Sequence, residues 1–227
     1  MSGSSAGGAS PAPEQARPFV LQPFGADGAG RGLALRGQVV RRGEALRVVY
    51  QLRGELESVL LPAPSPDGPT RRDGLWEHTC FELFLAAEGM DPYWEVNLAP
   101  SGDWNLYRLS GYREGLRPEL EREALPVAVA RGDGWFDLAV DLSLPRELAL
   151  ACRRQPLRLG VTAVLEQPTG SLSYWALSHG GPVADFHRRE DFLLRFPRDR
   201  DAADAAFRSS LEGPPGSAGD AGPERGG

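Results

Sequence analysis

Glu82, Glu95, Asn97, Asn105 and Tyr107 are the residues whose types and spacing can do chemistry. They fall within one stretch, W-E-H-T-C-F-E-L-F-L-A-A-E-G-M-D-P-Y-W-E-V-N-L-A-P-S-G-D-W-N-L-Y, which runs from Trp76 to Tyr107. Two carboxyl groups on one sheet face can act as acid and base in glycoside hydrolysis when they stand roughly 5–10 Å apart. Carboxylates and amides beside aromatic rings also suit binding without chemistry, since hydroxyls need polar partners and a sugar ring needs a flat apolar platform. The same set describes an ordinary hydrogen-bonded sheet face, so all three readings stay open here.

Two further groups flank this one. The run R-R-D-G-L-W-E-H-T supplies Arg71, Arg72 and Asp73 as a possible ion pair, with Trp76 either stacking on a ligand or lidding the core edge. The run S-Y-W-A-L-S-H-G-G-P-V-A-D-F-H brings Trp175, His179, Asp185 and His187 together. Tyr174 and Trp175 have opposite sidedness on a strand, so one of them faces outward. His and Asp at a strand exit can bind a ligand or a metal, although His179 and His187 match no recognised ligand spacing. Haem would need axial ligands, for which Met90 and the histidines are the only internal candidates, and no C-x-x-C-H is present. A G-x-S-x-G elbow, a phosphate loop and a dinucleotide fingerprint are all absent.

The elements that must position these groups are strands. Phe81, Leu83 and Leu85, then Trp94, Val96 and Leu98, then Trp104 and Leu106 alternate with polar residues across two short turn signals. Such alternation predicts an antiparallel meander with those eight side chains on a core face. Cys80, Glu82, Phe84, Glu95, Asn97, Asn105 and Tyr107 take the other face, with Glu82 and Asn97 as cross-strand partners. Further strands are predicted over Phe19–Phe24, Leu33–Val40, Ala45–Arg53, Leu56–Leu61, Val127–Ala130, Trp135–Leu142, Leu157–Leu165, Leu172–Leu177 and Phe192–Phe196. A turn or two of helix is expected at Leu144–Leu150. About ten short strands with little helix predict an all-β, two-sheet antiparallel sandwich of immunoglobulin-like or jelly-roll type.

Composition narrows the function classes. The 227 residues suit one folded domain, and a net charge of −6 gives no basic face for nucleic acid or an anionic membrane. All 25 basic residues are arginine, and isoleucine is absent too, which reads as codon bias. Cys80 and Cys152 are expected as reduced, buried thiols. The N-terminus has no secretory pattern and no apolar run can span a bilayer, so the cytoplasm is the expected location. Residues 1–16 and 198–227, rich in Gly, Ala, Ser, Pro and Asp, are expected to be disordered, with a possible short helix at Ala202–Leu211. The folded unit is then 17–197.

The runs R-R-D-G-L-W-E-H-T-C-F-E-L-F-L, Y-W-E-V-N-L-A-P-S-G-D-W-N-L-Y-R and Y-W-A-L-S-H-G-G-P-V-A-D-F-H resemble the DOMON-like domains related to family 9 carbohydrate-binding modules. The resemblance spans Phe19 to Phe196. It implies a β-sandwich that binds sugars in some members and haem in others, with tryptophans stacking on the sugar ring. Trp76 and Trp175 occupy those motif positions. Two departures accompany it: no secretion signal is visible, and no methionine/histidine haem pair stands at a recognisable position. The expected function is therefore non-catalytic binding of a small ligand, a saccharide or similar compound. Arg71, Trp76, Glu82, Glu95, Asn97, Tyr107, Trp175 and His179 are the expected ligand-binding residues. A haem- or metal-binding module, and a glycosidase using Glu82 and Glu95, are the alternatives.

Overall fold

The computed structural model describes residues 14–25, 32–66, 68–199 and 201. Period-two patterning becomes three long strands first, β1 (Glu14–Pro23), β2 (Leu33–Arg42) and β3 (Ala45–Gly54). The meander follows as β4 (Cys80–Ala87), β5 (Tyr93–Leu98) and β6 (Trp104–Leu109). After a two-residue strand β7 (Arg117–Pro118) come the hairpin β8 (Val127–Gly132) and β9 (Trp135–Ser143), and the helix α1 (Arg146–Cys152). The strands β10 (Leu157–Glu166), β11 (Leu172–Ala176) and β12 (Leu194–Phe196) complete the described part.

The strands form a large antiparallel sheet in the order β7-β6-β5-β4-β10-β11-β1-β2-β3-β9-β8, with β12 pairing β10. β1 is the joint. Glu14 to Leu21 pair with β2, while Gln22 and Pro23 reach across to β11. The sheet curls so that its two arms press their apolar faces together. Phe81 of β4 stacks on Phe136 of β9 with ring centroids 5.5 Å apart, and Tyr50 of β3 lies 5.2 Å from Phe81. The buried Tyr50 hydroxyl donates to the Glu82 carbonyl at 2.6 Å, satisfying a group that would otherwise be costly to bury.

All eight predicted core residues of the meander lie in the large hydrophobic cluster. Leu157, Leu159, Val161, Ala163 and Leu165 of β10 join them, as their alternation predicts. α1 closes the core with Leu148, Ala149 and Cys152, and its Glu147 holds Arg108 of β6 through two hydrogen bonds.

Several boundaries differ from expectation. Leu56–Leu61 is not a strand: Leu56–Ser58 form a 3-10 turn, because the Ser58 amide and hydroxyl both donate back to the Glu55 carbonyl. β1 starts at Glu14, inside the segment expected to be disordered, where Glu14 pairs with Arg42 of β2. Past the expected end at 197, Asp199 pairs with Arg41, whose side chain is 1% exposed. β12 begins two residues later than Phe192. Residues 1–13 and the possible helix at 202–211 lie outside the described residues. Among the described residues, no helix is long and apolar enough to cross a membrane.

Candidate functional site

Register places the polar groups before any covering loop is considered. Glu82 faces Asn97, and Asn97 faces Asn105; Phe84 faces Glu95, and Glu95 faces Tyr107. On the other side of β4, Thr162 of β10 faces Glu82 and Val164 faces Cys80. Tyr174 of β11 faces Val164 and so joins the same surface, while Trp175 faces Ala163 and turns into the core. Apart from Trp175 and Ala163, these side chains point away from the large core.

That face is not left open. Every residue of β4 and β5 is buried, so both sides of these strands are covered. A smaller cluster of Phe84, Ala86, Tyr93, Tyr107, Leu109 and Phe192 forms on this side, with Trp76 and Phe186 packed against it. Two segments provide the cover. Gly74, at φ +72°, takes the left-handed conformation that lets the chain turn into the 3-10 turn Leu75–Glu77, and Trp76 then lies edge-on to Tyr107 at 5.7 Å. The second is the segment after β11, residues 177–193. Its Phe192 seats against Phe84 and over Gly160, where a Cβ would stand only 2.8 Å from the Phe192 ring.

Between these covers and the sheet lies a cavity of about 670 Å³. Glu82, Glu95, Val164 and Leu109 line it from the sheet; Trp76, Tyr174, Phe186 and Phe24 line it with aromatic rings; Arg113, Leu116, Val183, Ala184 and His187 complete it. Tyr174 is 37% exposed at its mouth and Val183 65%. A volume of this size is ordinary for a small-molecule site.

The carboxyl groups in this cavity are unusual. Glu82 and Glu95 are 3% and 5% exposed, and among the described residues neither is ion-paired. Thr162 donates to Glu82 Oε2 at 3.3 Å, but Oε1 is buried with no hydrogen-bond partner. Asn97 donates to Glu95 Oε1 at 2.8 Å. Burial, and then the neighbouring Glu95, push the Glu82 carboxyl well above the usual carboxylate range. Burial also raises Glu95, with Asn97 and then Arg113 opposing.

The other titratable groups are held by one another. Arg113 pairs with Asp185 at 2.8 Å, and Tyr112 donates to the same carboxylate at 2.5 Å. The Arg113 amide donates to the Tyr93 hydroxyl at 3.2 Å, and that hydroxyl lies 2.7 Å from His187 Nδ1. A phenol hydroxyl both accepts and donates, so Tyr93 can hold the Arg113 amide and the His187 ring at once. Burial, then Arg113, lower His187 to a pKa of about 4, against a smaller pull from Asp185.

The expected site residues thus separate into three groups. Trp76, Glu82 and Glu95 line the cavity together with Tyr174 and His187 of the distant Y-W-A-L-S-H-G-G-P-V-A-D-F-H run. Asn97 and Tyr107 lie one layer out: Asn97 holds Glu95, and Tyr107 supports Trp76 while donating to Asp73 at 2.7 Å. Arg71, Trp175 and His179 are elsewhere. Arg71 lies over the Trp104 ring and donates to Asn105 and to the carbonyls of Glu119 and Arg122. Trp175 is 2% exposed in the core, with its indole N–H given to Ser173. His179 bonds the Gln22 carbonyl and touches Phe24, a cavity residue, without lining the cavity itself. Tyr174 was readable as the partner of Trp175 on the other side of its strand. Arg113 and Phe186 carried no such signal, since they come from connections without periodicity, and Phe24, the last residue of a predicted strand, lies just past the end of β1.

Cys80 and Cys152 are both free and buried. Among the described residues, no group of three or more His, Cys, Asp and Glu side chains is placed to hold a metal ion. Met90 packs against the large core, whereas His187 contacts Phe84 and Tyr93 of the opposite cluster.

No protein-family model matches the chain. No curated protein matches it either. Among solved structures, the chain is similar to one from Bacteroides uniformis described as a "putative carbohydrate-binding protein", with a TM-score of 0.52 and 14% identity over 75% of this chain and 83% of that one. At that identity the similarity bears on the fold.

Proposed function

We propose that this chain is a non-catalytic binding domain for a small saccharide, built as a β-sandwich whose two layers join through β1. The observation that carries this is the cavity itself, where Trp76 and Tyr174 offer flat apolar surface beside the buried carboxyl groups of Glu82 and Glu95. A sugar ring has an apolar C–H face and a rim of hydroxyls, and the two kinds of surface are what it needs. The name carried by the structural neighbour agrees with a binding role. The test is isothermal titration and thermal shift against a panel of mono- and disaccharides, with Trp76→Ala as control. Binding by the wild type, weakened about tenfold or more in Trp76→Ala, is expected for an aromatic anchor. Silence across the whole panel refutes it.

A hydrolytic role draws on the same pair. Two buried carboxyl groups on one sheet face supply candidates for an acid and a base, which is what glycosidases use. Release of nitrophenol from aryl glycosides at a rate lost in Glu82→Gln would favour catalysis over binding.

A further inference from the structure

Beyond hydroxyls, the cavity has an unmet electrical requirement. Glu82 Oε1 is buried and without a hydrogen-bond donor, although Glu82 lines a cavity with room for a ligand. Its ionisable neighbour is a second acid, Glu95, one residue pair along the adjacent strand. Among the described lining residues, Arg113 is the single cation, and its guanidinium is bonded to Asp185 rather than to either glutamate. His187 is occupied at Nδ1 by Tyr93. Among the described residues, no cation is paired with either glutamate, and Arg113 acts on Glu95 only through space. Buried carboxyl groups are ordinarily paired, and an unmatched pair is costly unless protonated or met by a cation from outside.

The walls favour the same occupant. Trp76, Tyr174, Phe186 and Phe24 present aromatic surface around the floor, with Tyr174 and Phe186 edge-to-face at 6.0 Å. Ring faces attract cations, and most strongly where water is excluded. An acidic floor inside aromatic walls is the arrangement that recognises an ammonium group.

We infer that the ligand of this cavity carries a protonated amine, an amino sugar being the class that fits, and that its ammonium group is received by Glu82 and Glu95. This rests on the saccharide-binding role proposed above. An ammonium has three donors, enough for the free Oε1 of Glu82 and for an oxygen of Glu95. Burial raises both carboxyl groups, and an ammonium received between them opposes that rise by favouring the carboxylate forms.

The test compares glucosamine, N-acetylglucosamine, glucose and a simple alkylamine by isothermal titration near pH 7. Charge-assisted hydrogen bonds predict glucosamine at least about tenfold tighter than glucose and N-acetylglucosamine. In Glu82→Gln and, separately, Glu95→Gln, the preference for glucosamine falls toward unity. Equal or tighter binding of glucose overturns the inference and leaves the saccharide role standing. Binding of the alkylamine with no binding of any sugar supports the amine and overturns the saccharide role. If none of the four binds, both are overturned.

Discussion

Acidification removes stability from this protein through His187, and the size of the effect can be worked out. Burial, then the Arg113 guanidinium, hold its pKa at about 4 against an ordinary 6.5, with Asp185 opposing. Between those values the unfolded chain carries a proton on this ring that the folded chain refuses. The unfolded state then binds more protons, so stability rises with pH across the window and is lost as pH falls through it. At about 1.4 kcal/mol per pKa unit, the total comes to about 3 kcal/mol. Glu82 and Glu95 act with the opposite sign. Their raised carboxyl groups contribute stability that is complete below the ordinary carboxyl pKa and is lost as pH rises. The net curve therefore mixes the two, and a difference measurement is needed. His187→Gln keeps an acceptor for the Tyr93 hydroxyl and cannot be protonated. Urea unfolding followed by tryptophan fluorescence, at pH steps from about 7.5 to about 4.5, gives the free energy of each protein. The variant should gain on the wild type by up to about 1.4 kcal/mol per pH unit as pH falls. Parallel curves for the two proteins, or a proton NMR midpoint for His187 near the ordinary value, would refute the reasoning.

Two further outcomes follow from packing. In Gly37→Ala the new Cβ would stand 1.9 Å from the Val49 carbonyl oxygen and 2.5 Å from the Phe19 ring. Neither the strand backbone nor the buried ring can withdraw freely, so a loss of about 2–3 kcal/mol is expected in urea unfolding; a loss below about 0.5 kcal/mol would contradict the packing. The thiols of Cys80 and Cys152 are buried, and burial pushes Cys152 up to about 11. A dithiobis-nitrobenzoate assay should therefore register both only after denaturant is added, and rapid labelling of the native protein would show the burial to be wrong.

Much of the meander was legible before any coordinates. The pairing of Phe81 with Leu98, Leu83 with Val96 and Glu82 with Asn97 follows from side-chain alternation and two short turns, because a strand's period is two and tight turns set register. The large core follows from the same alternation in β3, β9 and β10. Leu56–Leu61 was misread because a serine bonded back to its own turn, a local competition that hydrophobic pattern does not record.

The role of each face was a different matter. Sequence alone determined that Tyr174 and Trp175 lie on opposite sides of their strand, and that Glu82 and Glu95 share a face. Tertiary structure decided that Trp175 enters the core while Tyr174 borders the cavity, since that depends on which side of β11 meets the opposite arm of the curled sheet. It also decided that the glutamates are buried rather than solvated. The cover comes from Trp76, Phe186 and Phe192, held in segments without regular period, whose positions are set by the surfaces they land on. Alternation is a property of the local backbone and survives in any sequence that forms a strand. Burial of a charge is a property of everything around it, and so exists only once the chain has folded.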